Sequence, residues 1–505
     1  MITLLGLIGA VAPVQAADPT AAEAQRLDAY WTGDRMRSAT PRDLVLKDPP
    51  DGAGAVLAPA SGSGSSPAAA PLAAPVDGAN WNGGGIVLRR TGVIFFSIGS
   101  DDFSCSGSII DDAGDPSYSL ILTAGHCAYD LATGTFTTNW TFIPAFDDTP
   151  NAANCSETTY GCWDARALVV HQGWTNENGL TPAALQHDYA IAVVGPVRNG
   201  TKQLDSLGAY PLKLAGVSLG DTLSAFGYPA GLPYDGSQLV YCRDEAGVDS
   251  FVGSWALVCD MTGGASGGPW LAETGNAGTT AGCVASLSSY RLTDDDLHLF
   301  GPELGGGTAK VYEAARAATP DPSGIDHHVV TGSVAIAPFT DTCTSSFRAD
   351  IEWMYFSAIT TGCSPTTYCP TATVTREQMA GFLVRAFDLP STTTDYFNDD
   401  ESSTLENEIN ALRKSGITTG CSIGKYCPKG EVTREQMASF LVRALDLPPT
   451  TTDYFVDDNG RTSEDDINSL RKAGITTGCD ATHYCPTATV TREQMAGFLH
   501  RALGD

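Results

Sequence analysis

The chain has 505 residues, 42 % of them hydrophobic, with a formal charge of -29 and an isoelectric point near 4.4. That length calls for two or three domains, and the acidic balance argues against nucleic acid or anionic membranes as partners, since both bind basic patches. No run reaches the roughly 18 apolar residues of a transmembrane segment.

In chain order, Leu4 to Val11 is a short apolar run followed by Val14-Gln15-Ala16, so residues 1–16 read as a signal peptide, although no Lys or Arg precedes it. Residues 17–52 are charged and mixed, with a helix predicted around Ala21 to Tyr30. Residues 53–79, "AGAVLAPASGSGSSPAAAPLAAPVDGA", are too poor in large apolar side chains to bury a core and read as linker. Together residues 17–79 read as a propeptide ending in a low-complexity tether, or as a plain disordered leader. The 14 cysteines agree with export: the recurring Cys-x5-Cys spacing suits disulfides better than zinc, which favours Cys-x2-Cys.

Residues 80–315 change to short runs rich in Val, Ile, Leu and Phe, among them "GVIFFSI", "LILTA", "ALVVH", "YAIAVV" and "AGCVASL", broken by Gly, Asn, Asp and Pro. This is the pattern of an all-β sandwich or barrel. Within it, "TGGASGGPW" (262–270) sets Ser266 between glycine pairs, which lets the backbone take positive φ and leaves bare amides around the hydroxyl. A serine becomes nucleophilic when a base takes its proton and a third group orients the base. His126 in "LILTAGHC" and Asp188 in "LQHDYAIAVV" are the candidates, the second at the head of an apolar strand where a carboxylate needs a partner. A Cys105–Cys127 bond would pin the His126 turn, Cys155–Cys162 would close a local loop, and Cys242–Cys259 would clip the hairpin leading to Ser266.

Residues 316–337 read as linker, and three copies of one unit follow at 338–390, 391–448 and 449–505. Phe339, Phe397 and Phe455 keep a constant spacing, as do Cys363, Cys421 and Cys479, which marks stacked supersecondary units. In each, "TREQ" forms a capping box, Thr375 with Gln378 in the first copy, and Met379, Phe382, Leu383 and Ala386 behind it share one helical face. The pairs Cys363–Cys369, Cys421–Cys427 and Cys479–Cys485 would pin the interhelical loops. Elimination leaves Cys283 with Cys343.

"TAGHC", "DYAIAVV" and "GGASGGP", in that order, resemble the three signatures of chymotrypsin-like serine peptidases, nearest the bacterial V8-like branch. The resemblance implies a double six-stranded β-barrel, Ser266 as nucleophile, His126 as general acid/base, Asp188 as its orienting partner, and an oxyanion hole from the amides of Gly264 and Ser266. It makes Asp260, six residues before Ser266, the candidate for binding a basic substrate side chain. The stretch "AGCVASLSSY" lacks the His of glutamate-specific relatives, and Ala265 stands where animal trypsins carry the Asp that pairs with a freed N-terminus. A propeptide would therefore act by another route, such as blocking the cleft. The "TREQ" repeats resemble S-layer homology modules, an all-α domain, and the resemblance makes Arg376, Arg434 and Arg492 candidate contacts for acidic cell-wall polysaccharide. The expectation is a secreted endopeptidase acting on proteins, anchored at the cell surface and needing neither cofactor nor metal; the alternative is an inactive adhesin using the barrel as scaffold.

Overall fold

The computed structural model describes residues 19–47, 56–57, 75–112, 118–148, 151–176, 179–195, 204–272, 282–320 and 324–504. The signal-peptide reading and most of the linker reading fall outside the described residues. The described residues divide into two compact units that part between Val334 and Ala335, with Ala215–Val217 assigned to the second.

In the first unit the strands Asp101–Ile110, Thr91–Ile98, Thr138–Pro144, Trp163–His171, Ala190–Val194 and Ser119–Thr123 neighbour one another in that order. The last pairs back on the first, through Ser108 opposite Leu122, and closes a six-stranded barrel. Trp163–His171 and Ala190–Val194 are buried along their whole length instead of alternating. The helix Gly306–Ala317, with Val311 and Ala315 buried, packs over their outer face, and a strand covered on both sides needs no polar face.

The other half departs from the expected second closed barrel. Its strands form two sheets, one built on Cys283–Leu287, Pro269–Ala272, Thr222–Gly227 and Val240–Glu245, the other on Tyr290–Leu292, Asp295–Gly301, Trp255–Val258 and Gly247–Asp249. The reason is an occupied edge. Val76–Asn80 pairs with Val240–Glu245, Asn80 opposite Val240, so that edge cannot pair with Trp255–Val258.

Much of the segment read as propeptide and linker is thus part of the fold. Its helix runs Pro19–Tyr30, and Leu27, Trp31 and Met36 enter the barrel's apolar core. Trp31 Nε1 donates to Asn139 O at 2.6 Å, and Tyr30 Oη and Arg35 both reach Asp102, at 2.8 and 2.7 Å. The range 316–337 also differs from linker: Asp326–Val330 lies parallel to Trp163–His171, Asp326 opposite Ala167.

The second unit is three two-helix repeats whose packed helix pairs cross the repeat boundaries: Arg376–Ala386 with Glu406–Lys414, Arg434–Leu445 with Glu464–Lys472, and Arg492–Leu503 with Arg348–Phe356. They close into a ring: Val374 N donates to Val490 O, Val490 N to Val432 O and Val432 N to Val374 O, at 2.9, 3.0 and 2.9 Å. The disulfides Cys105–Cys127, Cys155–Cys162, Cys242–Cys259, Cys363–Cys369, Cys421–Cys427 and Cys479–Cys485 are formed, and Cys283 and Cys343 are oxidised too.

Candidate active site

His126 sits in the turn Gly125–Cys127 that ends the strand Ser119–Thr123, where it is 1 % exposed. Asp188 is fully buried at the head of Ala190–Val194 and is completely engaged. Its Oδ1 accepts from His126 N at 2.8 Å; its Oδ2 meets His126 Nδ1 at 2.8 Å and accepts from Ser289 Oγ at 2.5 Å. A carboxylate with three donors is stable in the interior and fixes which imidazole nitrogen carries the proton. His126 Nε2 is thereby left for chemistry, and it has no hydrogen-bond partner among the described residues.

The Ser266 loop is held by its backbone. Gly263 O accepts from Ala230 N at 2.8 Å, which turns the Gly264 N–H the opposite way, and Gly264 O accepts from Ser106 Oγ at 2.9 Å. Ser106 N donates to Ser266 O at 2.7 Å. Since Ser106 follows Cys105 and Cys127 follows His126, the Cys105–Cys127 bond ties the histidine turn to the strand that carries the serine loop. Gly264 has φ +95°, and a Cβ there would lie 2.8 Å from Tyr228 O; at Gly267, with φ +83°, it would lie 2.4 Å from Ser106 O. That is why glycines flank the serine.

Residues 105–277, which contain His126, Asp188 and Ser266, match the model of the trypsin-like peptidase domain. The chain belongs to the trypsin-like peptidase family. It is similar to the thermostable serine protease AL20 from an extremophilic microorganism, at 32 % identity over 46 % of this chain and 100 % of that one, with a TM-score of 0.40. Protease Anisep from Arthrobacter nicotinovorans is 31 % identical over 46 % of this chain and 97 % of its own, with a TM-score of 0.39. Similarity also extends to an endoglucanase of Bacillus sp. (strain KSM-635), 33 % identical over 33 % of this chain, and to the S-layer protein of Bacillus licheniformis, 28 % identical over 26 %. The chain spans only 19 % and 16 % of those two proteins. The peptidase domain is thus joined to a C-terminal region of repeated helices.

The groove over Ser266 is filled by an N-terminal segment of the same chain, residues 40–46, called the leader below. Arg42 O accepts from Gly264 N at 2.9 Å and from Ser266 Oγ at 3.3 Å, so a peptide carbonyl lies on the amide expected to bind the oxyanion. Upstream, Thr40–Pro41 runs parallel to Phe103–Ser104; downstream, Val45–Leu46 runs parallel to Arg291–Leu292. Arg42 reaches Asp130 at 2.6 Å, and Leu44 is buried among Trp174, Leu185, Tyr290 and Phe300. The Trp174 ring lies 6.3 Å from that of His126. Ser289 and Arg42 were missed in the sequence: Ser289 is one polar residue in "SLSSY", and Arg42 acts through its backbone.

Asp260 is half-buried and occupied. Its Oδ1 accepts from Tyr234 Oη at 2.5 Å, and its backbone N donates to Asp77 O at 2.8 Å. Burial, and then the Asp260 carboxylate, push the Tyr234 hydroxyl well above its usual range. His171 and His187 stack on each other with ring centres 4.4 Å apart.

In the repeats, Arg376, Arg434 and Arg492 are interior clamps, 6, 7 and 4 % exposed. Each Nε donates to a carbonyl of the next repeat, Tyr426, Tyr484 and Tyr368, all at 2.7 Å, and each guanidinium lies over that tyrosine's ring. Burial lowers their pKa values. One amino group of each, Nη2, has no hydrogen-bond partner among the described residues, and Arg376 lines a groove of about 610 Å³ with Thr419, Gln436, Ser439 and Arg443.

Proposed function

We propose that the chain is the precursor of an exported serine endopeptidase, held latent by its leader and displayed at the cell surface by its repeats. The observation that carries this is the Arg42 carbonyl on Gly264 N and Ser266 Oγ: the site receives a peptide carbonyl, the group a peptidase attacks. In turnover Ser266 gives its proton to His126 Nε2 as Oγ bonds to the carbonyl carbon, and the oxyanion gathers on the Gly264 and Ser266 amides. One such donor is worth roughly two to three powers of ten in rate. His126 then gives the proton to the leaving amine, and water repeats the sequence on the acyl-enzyme, with Asp188 stabilising the imidazolium throughout. The leader is held and not hydrolysed because Ser266 directs its proton at Arg42 O, away from a base with no partner.

Export is supported by the disulfides, and surface display by the likeness to S-layer proteins. The guanidinium groups of Arg376 and Arg443 in the lining of that groove suit an acidic polysaccharide, because guanidinium donors match carboxylate oxygens. The test is digestion of a denatured proteome by chain cut between residues 48 and 74. New termini should appear with Ser266 intact, and Ser266→Ala should lower turnover by about six powers of ten. Absence of both cleavage and fluorophosphonate labelling would favour the adhesin. Full-length Ser266→Ala should sediment with purified cell walls; recovery in the supernatant would make the repeats a spacer.

A further inference from the structure

The leader reports where a peptide's side chains sit, and one contact is more than backbone. Asp43, next to the residue whose carbonyl meets Gly264, faces Arg291 with both carboxylate oxygens: Nε lies 3.4 Å from Oδ1, and Nη2 bonds Oδ2. Arg291 stands two residues beyond Ser289, the residue that holds Asp188. Its backbone N also donates to Leu44 O at 2.9 Å, so one residue grips main chain and side chain together. Opposite it is Gly263, where a Cβ would lie 2.8 Å from Asp43 Cβ; the glycine leaves the space the acidic side chain fills.

Among the cleft's charged groups, the leader's departure strips Arg291 alone of every side-chain partner. Asp188 keeps His126 and Ser289, Asp260 keeps Tyr234, and Asp130 keeps Thr133 N and Oγ1 at 2.8 and 2.9 Å. Arg291 has no side-chain partner but Asp43 among the described residues. We propose that Arg291 is a specificity-determining residue that selects peptides carrying Asp or Glu beside the scissile bond, followed in the leader's direction by an apolar residue for the Leu44 pocket. A planar fork against a carboxylate makes two charge-assisted bonds that neither a lysine-like nor a neutral side chain can form with it. The basic preference suggested by Asp260 gives way for the same reason: the Arg42 guanidinium goes to Asp130, and Asp260 is already bonded.

This inference rests on the peptidase reading, so its test includes binding as well as turnover. Full chain cut between residues 48 and 74 and freed of its leader is prepared as Ser266→Ala, with and without Arg291→Ala. Each is titrated with a synthetic peptide of residues 40–47 and with its Asp43→Asn form. With Arg291 present the acidic peptide should bind about 10-fold tighter, the worth of a charge-assisted pair of roughly 1.4 kcal/mol, and Arg291→Ala should erase the difference. Equal binding of the two peptides to protein that retains Arg291 overturns the proposal. Turnover by the Ser266-intact protein adds a second readout. Arg291→Ala should raise KM for an acidic peptide about 10-fold with kcat little changed, while KM for a neutral peptide stays put. Arg291→Glu should reverse the preference toward basic residues, and an unreversed preference counts against the proposal. Acid-selective binding without any cleavage or fluorophosphonate labelling would retain the Arg291 site and sink the peptidase reading alone.

Discussion

The two units close their folds in opposite ways. The peptidase unit completes its second half with borrowed edges: Val45–Leu46 lies on Tyr290–Leu292, Val56–Leu57 on Gly247–Asp249 and Val76–Asn80 on Val240–Glu245. The repeat unit closes on itself, each copy clamped to the next and the third to the first. A borrowed edge on a single tether can be withdrawn, whereas an edge in a ring cannot be lost without opening the ring. On this view the leader acts as a switch, and the repeats as one cooperative body.

The largest expected effect breaks the borrowed closure. Trp31 is fully buried against the barrel, its ring centre 5.5 Å from that of Phe95. Trp31→Ala should weaken leader docking by about 3–5 kcal/mol. Fluorophosphonate labelling of uncut chain should then quicken by roughly two to three and a half powers of ten, at about 1.4 kcal/mol per tenfold. If labelling is unchanged, Arg42 does not control access to Ser266. The variant should keep its labelling rate when the tether is cut, which separates loss of latency from loss of fold.

The ring is probed by an effect of middle size. Arg492 reaches back from the last repeat to Tyr368 of the first, whereas Arg376 reaches forward to Tyr426. In a linear stack an outward-facing terminal group has no neighbour to hold, and its removal costs nothing. In a ring the two are equivalent, so Arg492→Ala and Arg376→Ala should destabilise the repeats equally, by about 2–3 kcal/mol each. Thermal melts of the two variants read this directly; a silent Arg492→Ala would open the ring. Thr433→Ala, which removes only a cap on Gln436 N, should cost about 1 kcal/mol.

What the sequence disclosed follows the same division. His126, Asp188 and Ser266 were legible because each lies in a contiguous motif whose residue types are set by chemistry. The capping boxes were legible because they are local, as at Thr375 with Gln378. The leader's path was not, since two-residue strands such as Thr40–Pro41 hold by backbone bonds that any side chain permits. Asp326–Val330 carries two histidines and an aspartate, which masked its strand pattern. Ring closure was hidden for a related reason: Val374, Val432 and Val490 are buried apolar residues, and the bonds that join them are main chain.

The smallest effect sharpens the comparison within the ring, where copies serve as one another's controls. Asp341, Asp399 and Asp457 each accept two loop amides, those of the tyrosine and cysteine in their own copy. The next position is Thr342 in the first copy but Asp400 and Asp458 in the others. Asp400 is fully buried and neither oxygen has a partner outside its own residue, so burial, followed by the charges of Asp395, Glu406 and Glu401, pushes its pKa up to about 6. Asp458 is likewise raised to about 6. A carboxyl raised in the folded state binds a proton more tightly there than in the unfolded chain. Its stabilising contribution is therefore whole below about pH 4, is lost as pH rises to about 6, and stays lost above. Asp400→Thr, which copies Thr342, should raise the repeats' stability at pH 7 by on the order of 1–3 kcal/mol and leave it unchanged near pH 3.5. Melting temperatures at the two pH values decide it. Destabilisation at both would mean that Asp400 supports the loop as its neighbour Asp399 does, and that the first copy reaches the same end with a hydroxyl.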